Sequence, residues 1–213
     1  MFNSKKSKMN YIIPFIVGYL AAFIGLLAPS MLNMTSARTS IEKGKQAGIK
    51  FAAGAASVVF IQAFVAVFFA KYLVAHPEVI TKLKTAAIFV LLALSVFFFT
   101  QARKKFKSEG KQKQGNDFII GLGMSSLNML AVPFYLAMAT LAESKGWMQI
   151  EMPYSVIYVV GAVLGAFSLF ATYATFADII AKKAQFIAKN INYILSALFI
   201  ILALATAYQV FLQ

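Results

Sequence analysis

The chain contains no cysteine and one histidine, His76. The missing cysteines exclude a disulfide scaffold, thiolate metal ligation, a cysteine nucleophile and a thiol–disulfide carrier. A single histidine excludes a multi-histidine metal centre. Acidic residues are scarce: seven, against 20 lysines and arginines among 213 residues. Charged residues make up 13% of the chain, about half the usual share of a soluble domain. The excess of +13 does not mark a nucleic-acid binder, because the basic residues sit between apolar blocks and form no single basic face. No cofactor and no nucleic acid is expected.

Apolar residue is what the chain has instead: 61% of it, with mean hydropathy +0.76. A helix needs about 20 apolar residues to cross a hydrocarbon core of about 30 Å. Six runs free of Asp, Glu, Lys, Arg and His approach that length: 9–37, 51–70, 85–102, 118–142, 152–177 and 190–213. The runs are continuous and do not alternate, so membrane helices are expected and barrel strands are not. The fold class is an all-α integral membrane protein with six transmembrane helices.

Lys5, Lys6 and Lys8 precede the first run, as they would in a signal peptide. The run is far longer than the 7–15 residues of a signal core and reads as an uncleaved first helix. Thirteen of the 20 basic residues fall in connections 1–2, 3–4 and 5–6. The positive-inside rule then predicts those connections in the cytoplasm and both termini outside a cell inner membrane. Segment 143–151, with Glu143, Glu151, Lys145 and an interfacial Trp147, suits an outside loop. Residues 103–117 form a basic linker dividing the chain into a first repeat, 1–102, and a second, 118–213.

The two halves share a layout. Leu32-Asn33-Met34 at the end of the first span recurs as Leu127-Asn128-Met129 in the fourth, and Ser30 matches Ser125. A unit of three spans enters on one side and leaves on the other, so a tandem copy inserts upside down. That is the inverted repeat of many secondary transporters. Pro29 and Pro133 each free the carbonyl four residues earlier, of Gly25 and of Met129. Gly121 and Gly123 loosen the fourth helix ahead of Ser125, Ser126 and Asn128. In hydrocarbon such freed groups must be met by protein, water or ligand. The paired breaks predict a central solute site made by Pro29, Ser30, Asn33, Ser125, Ser126, Asn128 and Pro133.

Residues 25–54 resemble the lysine-exporter (LysE/RhtB) family of amino-acid efflux transporters. Pro29-Ser30-Met31 stands where that family has Pro-Gly-Pro. The basic stretch Arg38…Lys43-Gly44-Lys45-Gln46-Ala47-Gly48, followed by Gly54, follows the family's spacing. Asn128-Met129-Leu130 stands at its Asn-Pro-Lys. The resemblance implies solute export, of an amino acid or similar zwitterion. The inverted repeats suggest alternating access. Enzymatic activity is not expected, because no span holds the His, Cys or buried carboxylate it usually needs. The chain departs at Val59, where the family commonly has an acid, so a buried carboxylate for a cationic substrate is missing. Export of another small solute or ion, and a non-transporting scaffold, are the alternatives.

Gly48, Ala52, Ala55, Val59, Gln62 and Ala66 share one face of the second helix. Gln62 lies one turn beyond Val59 and joins the candidate solute-binding residues. In the fifth helix, Gly161, Gly165, Ser168, Thr172 and Thr175 form a small-residue stripe suited to close packing, within the chain or in a homodimer. Asp178 extends this stripe and is the carboxylate available for proton coupling, or for pairing with Lys182. Membrane lipids are expected to surround the spans.

Overall fold

Gly44 sets how the chain turns from its first span to its second. Its φ of +92° is a conformation that side chains disfavour, and it links two helices through a single residue. In a computed structural model, residues 11–27, 29–103, 115–128 and 130–211 are described. Lys5, Lys6, Lys8, Met129 and linker residues 104–114 therefore lie outside the described residues.

Eight helices are present among those residues: α1 (Ile12–Gly25), α2 (Met31–Lys43), α3 (Lys45–Ala75), α4 (Pro77–Arg103), α5 (Asp117–Ser126), α6 (Ala131–Ser144), α7 (Tyr154–Thr175) and α8 (Ala177–Phe211). Three of them contain stretches long and apolar enough to cross a membrane: Lys45–Leu73, Tyr154–Thr175 and Tyr193–Val210. Helices α5 and α6 make a fourth if counted as one span, bent by 70° at their break. Helix α1 and segment Ala87–Thr100 of α4 are apolar but shorter. The protein is an all-helical membrane protein.

The first apolar run, 9–37, is not one helix. Its helix stops at Gly25 and restarts at Met31, and α2 runs on through Arg38, Glu42 and Lys43. The expected basic loop after it is thus helical on both sides of Gly44. Arg38 and Glu42 pair along α2 at 2.6 Å, one turn apart, as an i,i+4 ion pair should.

Packing follows a crossed pattern. Helix α1 lies on α7, α3 lies on α5 and α6, and α3 and α7 meet in the middle. Helices α4 and α8 pair with each other, and α2 folds over α3, α7 and α8. Glycines let the backbones touch. At Gly18 an added Cβ would strike the carbonyl of Tyr158 and crowd the amide of Ala162. At Gly121 it would strike the carbonyl of Phe51 and crowd the amide of Ala55. Gly54 meets Phe118 in the same way, and Gly161 meets Phe15. The Gly161–Gly165 part of the small-residue stripe is therefore spent on packing against α1 within the chain.

A buried reciprocal contact joins α4 and α8. Ser95 Oγ donates to the Ser196 carbonyl at 3.0 Å, and Ser196 Oγ donates to that of Ser95 at 3.0 Å. One turn on, Phe98 stacks on Phe199 with centroids 5.5 Å apart.

Each end of the bundle collects alternate connections. The Lys43–Asp117 ion pair, 2.7 Å, brings the end of α2 to the start of α5. Ala37, Tyr173 and Ala177 cluster there with the α7–α8 link. At the other end Tyr11 stacks on Tyr154, and the end of α3 meets residues 150–152.

Candidate functional site

Two interruptions define the site: residues 26–30 between α1 and α2, and residues 127–130 between α5 and α6. Both interrupt the regular i→i−4 ladder, and a buried helix-end carbonyl is costly unless a donor reaches it.

At the first break the donors are side chains. Asn33, fully buried, donates from Nδ2 to the Leu26 carbonyl at 2.6 Å. Tyr173 of α7 donates its hydroxyl to the Leu27 carbonyl at 2.8 Å. Ser30 caps α2, its Oγ accepting from the Asn33 amide at 3.3 Å, and Pro29 half-buries just before it. Three residues beyond Asn33, buried Ser36 donates to the Phe170 carbonyl at 2.9 Å and ties α2 to α7.

At the second break the donor comes from another helix. Gln62 of α3 donates from Nε2 to the Ser125 carbonyl at 3.0 Å and to the Asn128 carbonyl at 3.4 Å. The Asn128 backbone amide also turns back to the Ser125 carbonyl at 3.0 Å. Sequence reasoning placed Gln62 on one helix face with Val59; the structure buries Gln62 and brings its amide to the backbone carbonyls of Ser125 and Asn128. Ser126 is not part of this cluster. It is exposed, and its Oγ back-bonds to the Leu122 carbonyl of its own helix at 2.9 Å. Pro133 is exposed in the first turn of α6, where its missing amide has no intrahelical acceptor to lose. It starts a helix; the break lies before it.

The breaks are adjacent. Phe134, one residue past Pro133, lays its ring on Gly25 at the end of α1, so a Cβ on Gly25 would overlap that ring. The two asparagines are nonetheless not equivalent. Asn33 sits in the first turn after its break, whereas Asn128 sits inside the other break. The matched tripeptides are out of register with the helices that carry them.

Three buried polar atoms around the second break and α6 have no hydrogen-bond partner among the described residues: Gln62 Oε1, Ser125 Oγ and Tyr135 Oη. They can accept from an ammonium, and the two hydroxyls can also donate to a carboxylate. Tyr135 was not anticipated. The signal was a tyrosine inside a span, away from the interfaces where tyrosine normally gathers. Neighbouring Tyr158 approaches the Tyr135 carbonyl through its hydroxyl at 3.4 Å.

Asp178 stands apart. It is exposed in the first turn of α8, where a carboxylate favours the helix dipole, and the expected pair with Lys182 is not formed. The other described acids, Glu42, Glu78, Asp117, Glu143 and Glu151, also lie near helix ends or in connections. No group of three or more metal-ligating side chains occurs among the described residues. The breaks therefore offer a neutral polar site with helix ends around it.

The family model for LysE type translocators matches residues 23–210, both breaks included. The chain belongs to the LysE type translocator family. It is a membrane translocator of amino acids or related small solutes, and members of its family transport rather than catalyse. Curated proteins and solved structures give no match to this translocator.

Proposed function

We propose that the translocator exports amino acids or similar small zwitterions across the cell membrane, by alternating access of two inverted three-helix repeats around the paired breaks. The observation that carries this reading is the set of buried, unpartnered polar atoms at a helix break: Gln62 Oε1 and Ser125 Oγ, with Tyr135 Oη nearby in sequence on α6. Unsatisfied buried groups cost about 1–3 kcal/mol each, and a polar solute relieves that cost when it binds. The ammonium would be met by Gln62 Oε1 and Ser125 Oγ. The carboxylate would be met at the N-terminal end of α6, where the helix dipole is positive. Asn128, Asn33, Ser30 and Pro29 shape the two breaks around the solute.

Matched contacts support the inverted repeat. A shift of 103 residues carries Gly18 to Gly121 and Phe15 to Phe118. A shift of 107 carries Gly54 to Gly161, Phe51 to Tyr158 and Ala55 to Ala162. The Gly18 and Gly161 contacts between α1 and α7 thus have their counterparts at Gly121 and Gly54 between α5 and α3. Ser95 and Ser196, and Phe98 and Phe199, meet their own counterparts, as residues beside a two-fold axis do. With α1–α2 and α5–α6 each forming one broken span, the count is six. On this reading connections 1–2, 3–4 and 5–6 are cytoplasmic and both termini lie outside, which the lysine and arginine content supports through the positive-inside rule.

The test is transport by purified protein in liposomes, with thermal stability measured on the same preparation. Ser125→Ala and Asn128→Ala are expected to lower amino-acid flux at least tenfold with little change in melting temperature. Unchanged flux in both refutes the site.

A further inference from the structure

We propose that the groove between the end of α3 and the 145–153 connection binds a phosphatidylethanolamine-type lipid, with its phosphate on Lys71 and its ammonium on Glu151. The groove encloses about 260 Å³, and Phe64, Phe68, Ile150 and Met152 contribute apolar walls to it. One wall is fixed. The connection inserts Met148 and Ile150 into the core, where they are 1% and 3% exposed, and the Glu143 carboxylate accepts from the Ile150 amide at 3.3 Å.

The other wall leads out to the bilayer. Phe60, Phe64 and Phe68 follow each other at four-residue steps on α3 and are 48%, 41% and 69% exposed. Lys71 continues the same stripe three residues on, near the end of a helix long enough to span the membrane. Exposed Trp147, on the connection that forms the opposite wall, is the residue type that settles at headgroup depth. The stripe is thus an acyl-chain track ending in a cation at the interface, where a lysine stem snorkels and its ammonium meets phosphate.

Glu151 supplies the selectivity. It lines the same groove as Lys71, and neither forms an ion pair among the described residues. Along α3 the apolar track comes first and the Lys71 cation after it, and the Glu151 anion lines the same groove. A phosphatidylethanolamine lipid carries the complementary set of acyl chain, phosphate and ammonium. Phosphatidylcholine has the charges but no N–H to give the carboxylate, and phosphatidylglycerol has no cation. A free amino acid carries both charges on one carbon and leaves the phenylalanine track unused.

The full-length protein, delipidated in detergent, is titrated with dioleoyl phosphatidylethanolamine, phosphatidylcholine or phosphatidylglycerol. Bound lipid is counted by native mass spectrometry. A charge-assisted hydrogen bond predicts phosphatidylethanolamine binding roughly tenfold tighter than the other two. Glu151→Gln should bring it down to the phosphatidylcholine level, and Lys71→Gln should weaken all three, since both exposed changes spare the core. Equal binding of the three lipids by the unaltered protein overturns the proposal without recourse to any variant. So does a phosphatidylethanolamine preference that survives Glu151→Gln. Displacement of the bound lipid by free leucine would assign the groove to a soluble zwitterion and overturn it equally.

Discussion

Replacing Gln62 by leucine removes a side chain that reaches from α3 to the carbonyls at the end of α5. Gln62 is 7% exposed, so water cannot take over its two bonds. Polar contacts between membrane helices average about 0.6 kcal/mol and reach about 1.7 kcal/mol. The bond to Ser125 at 3.0 Å has good length, while the bond to Asn128 at 3.4 Å is long and adds less. The loss is therefore about 1–2 kcal/mol. At roughly 2–4 °C per kcal/mol for a chain of this size, the melting temperature should fall by roughly 2–8 °C. Gln62→Glu keeps the shape but presents a carboxylate to carbonyl oxygens, and should be worse than leucine. Tryptophan or dye-based thermal unfolding in detergent measures the shift; liposome flux on the same preparation measures the function. The reasoning predicts a lowered melting temperature and a flux loss of at least tenfold per folded molecule. A melting temperature within 1 °C of the parent protein, with full flux, would refute it. A lowered melting temperature with full flux per folded molecule would confine Gln62 to holding the break together.

Three further outcomes are expected. Gly54→Val and Gly121→Val force side chains into the facing backbones of α5 and α3 and should prevent stable folding, while Gly123→Ala, with open space around it, should be neutral in thermal unfolding. Ser95→Ala and Ser196→Ala should be non-additive in a double-mutant cycle by about 0.5–1.5 kcal/mol, because each hydroxyl serves the other's backbone. In the cysteine-free chain, an impermeant thiol reagent should label Ser144→Cys in intact cells and Ser108→Cys only after permeabilisation; the opposite result reverses the orientation.

The sequence made the solvent of this protein plain, because 20-residue apolar runs serve no soluble fold well. It also pointed to the neighbourhood of two helix breaks, near Pro29 and near Asn128, but not to their bounds: Gly121, Gly123, Ser125 and Ser126 stay helical in α5 and the second break starts at Leu127. It did not show how the failures are repaired. Asn33 and Gln62 do the same work, giving an amide to helix-end carbonyls, yet one acts within its own span and the other across 63 residues. Local periodicity reports which face of a helix is buried and says nothing of what lies opposite. The Leu-Asn-Met match falls at different places relative to the helix ends in the two halves, because three residues can coincide. The close contacts at Gly18, Gly54, Gly121 and Gly161, on which the proposed repeat rests, became legible only once α7 was seen on α1 and α5 on α3. Helix α2 was read as the tail of a span and a loop because its charges begin at Arg38; it stays helical to Lys43, with Arg38 and Glu42 paired along it.

The central claim is that a small zwitterion crosses at the break joined by Gln62, Ser125 and Asn128. Counterflow in proteoliposomes tests it most directly: vesicles loaded with one unlabelled amino acid at a time are offered the same amino acid labelled outside. The account predicts labelled uptake above protein-free vesicles for at least one amino acid, falling at least tenfold in Ser125→Ala and Asn128→Ala at unchanged melting temperature. Uptake by the parent protein that both variants retain in full would contradict it.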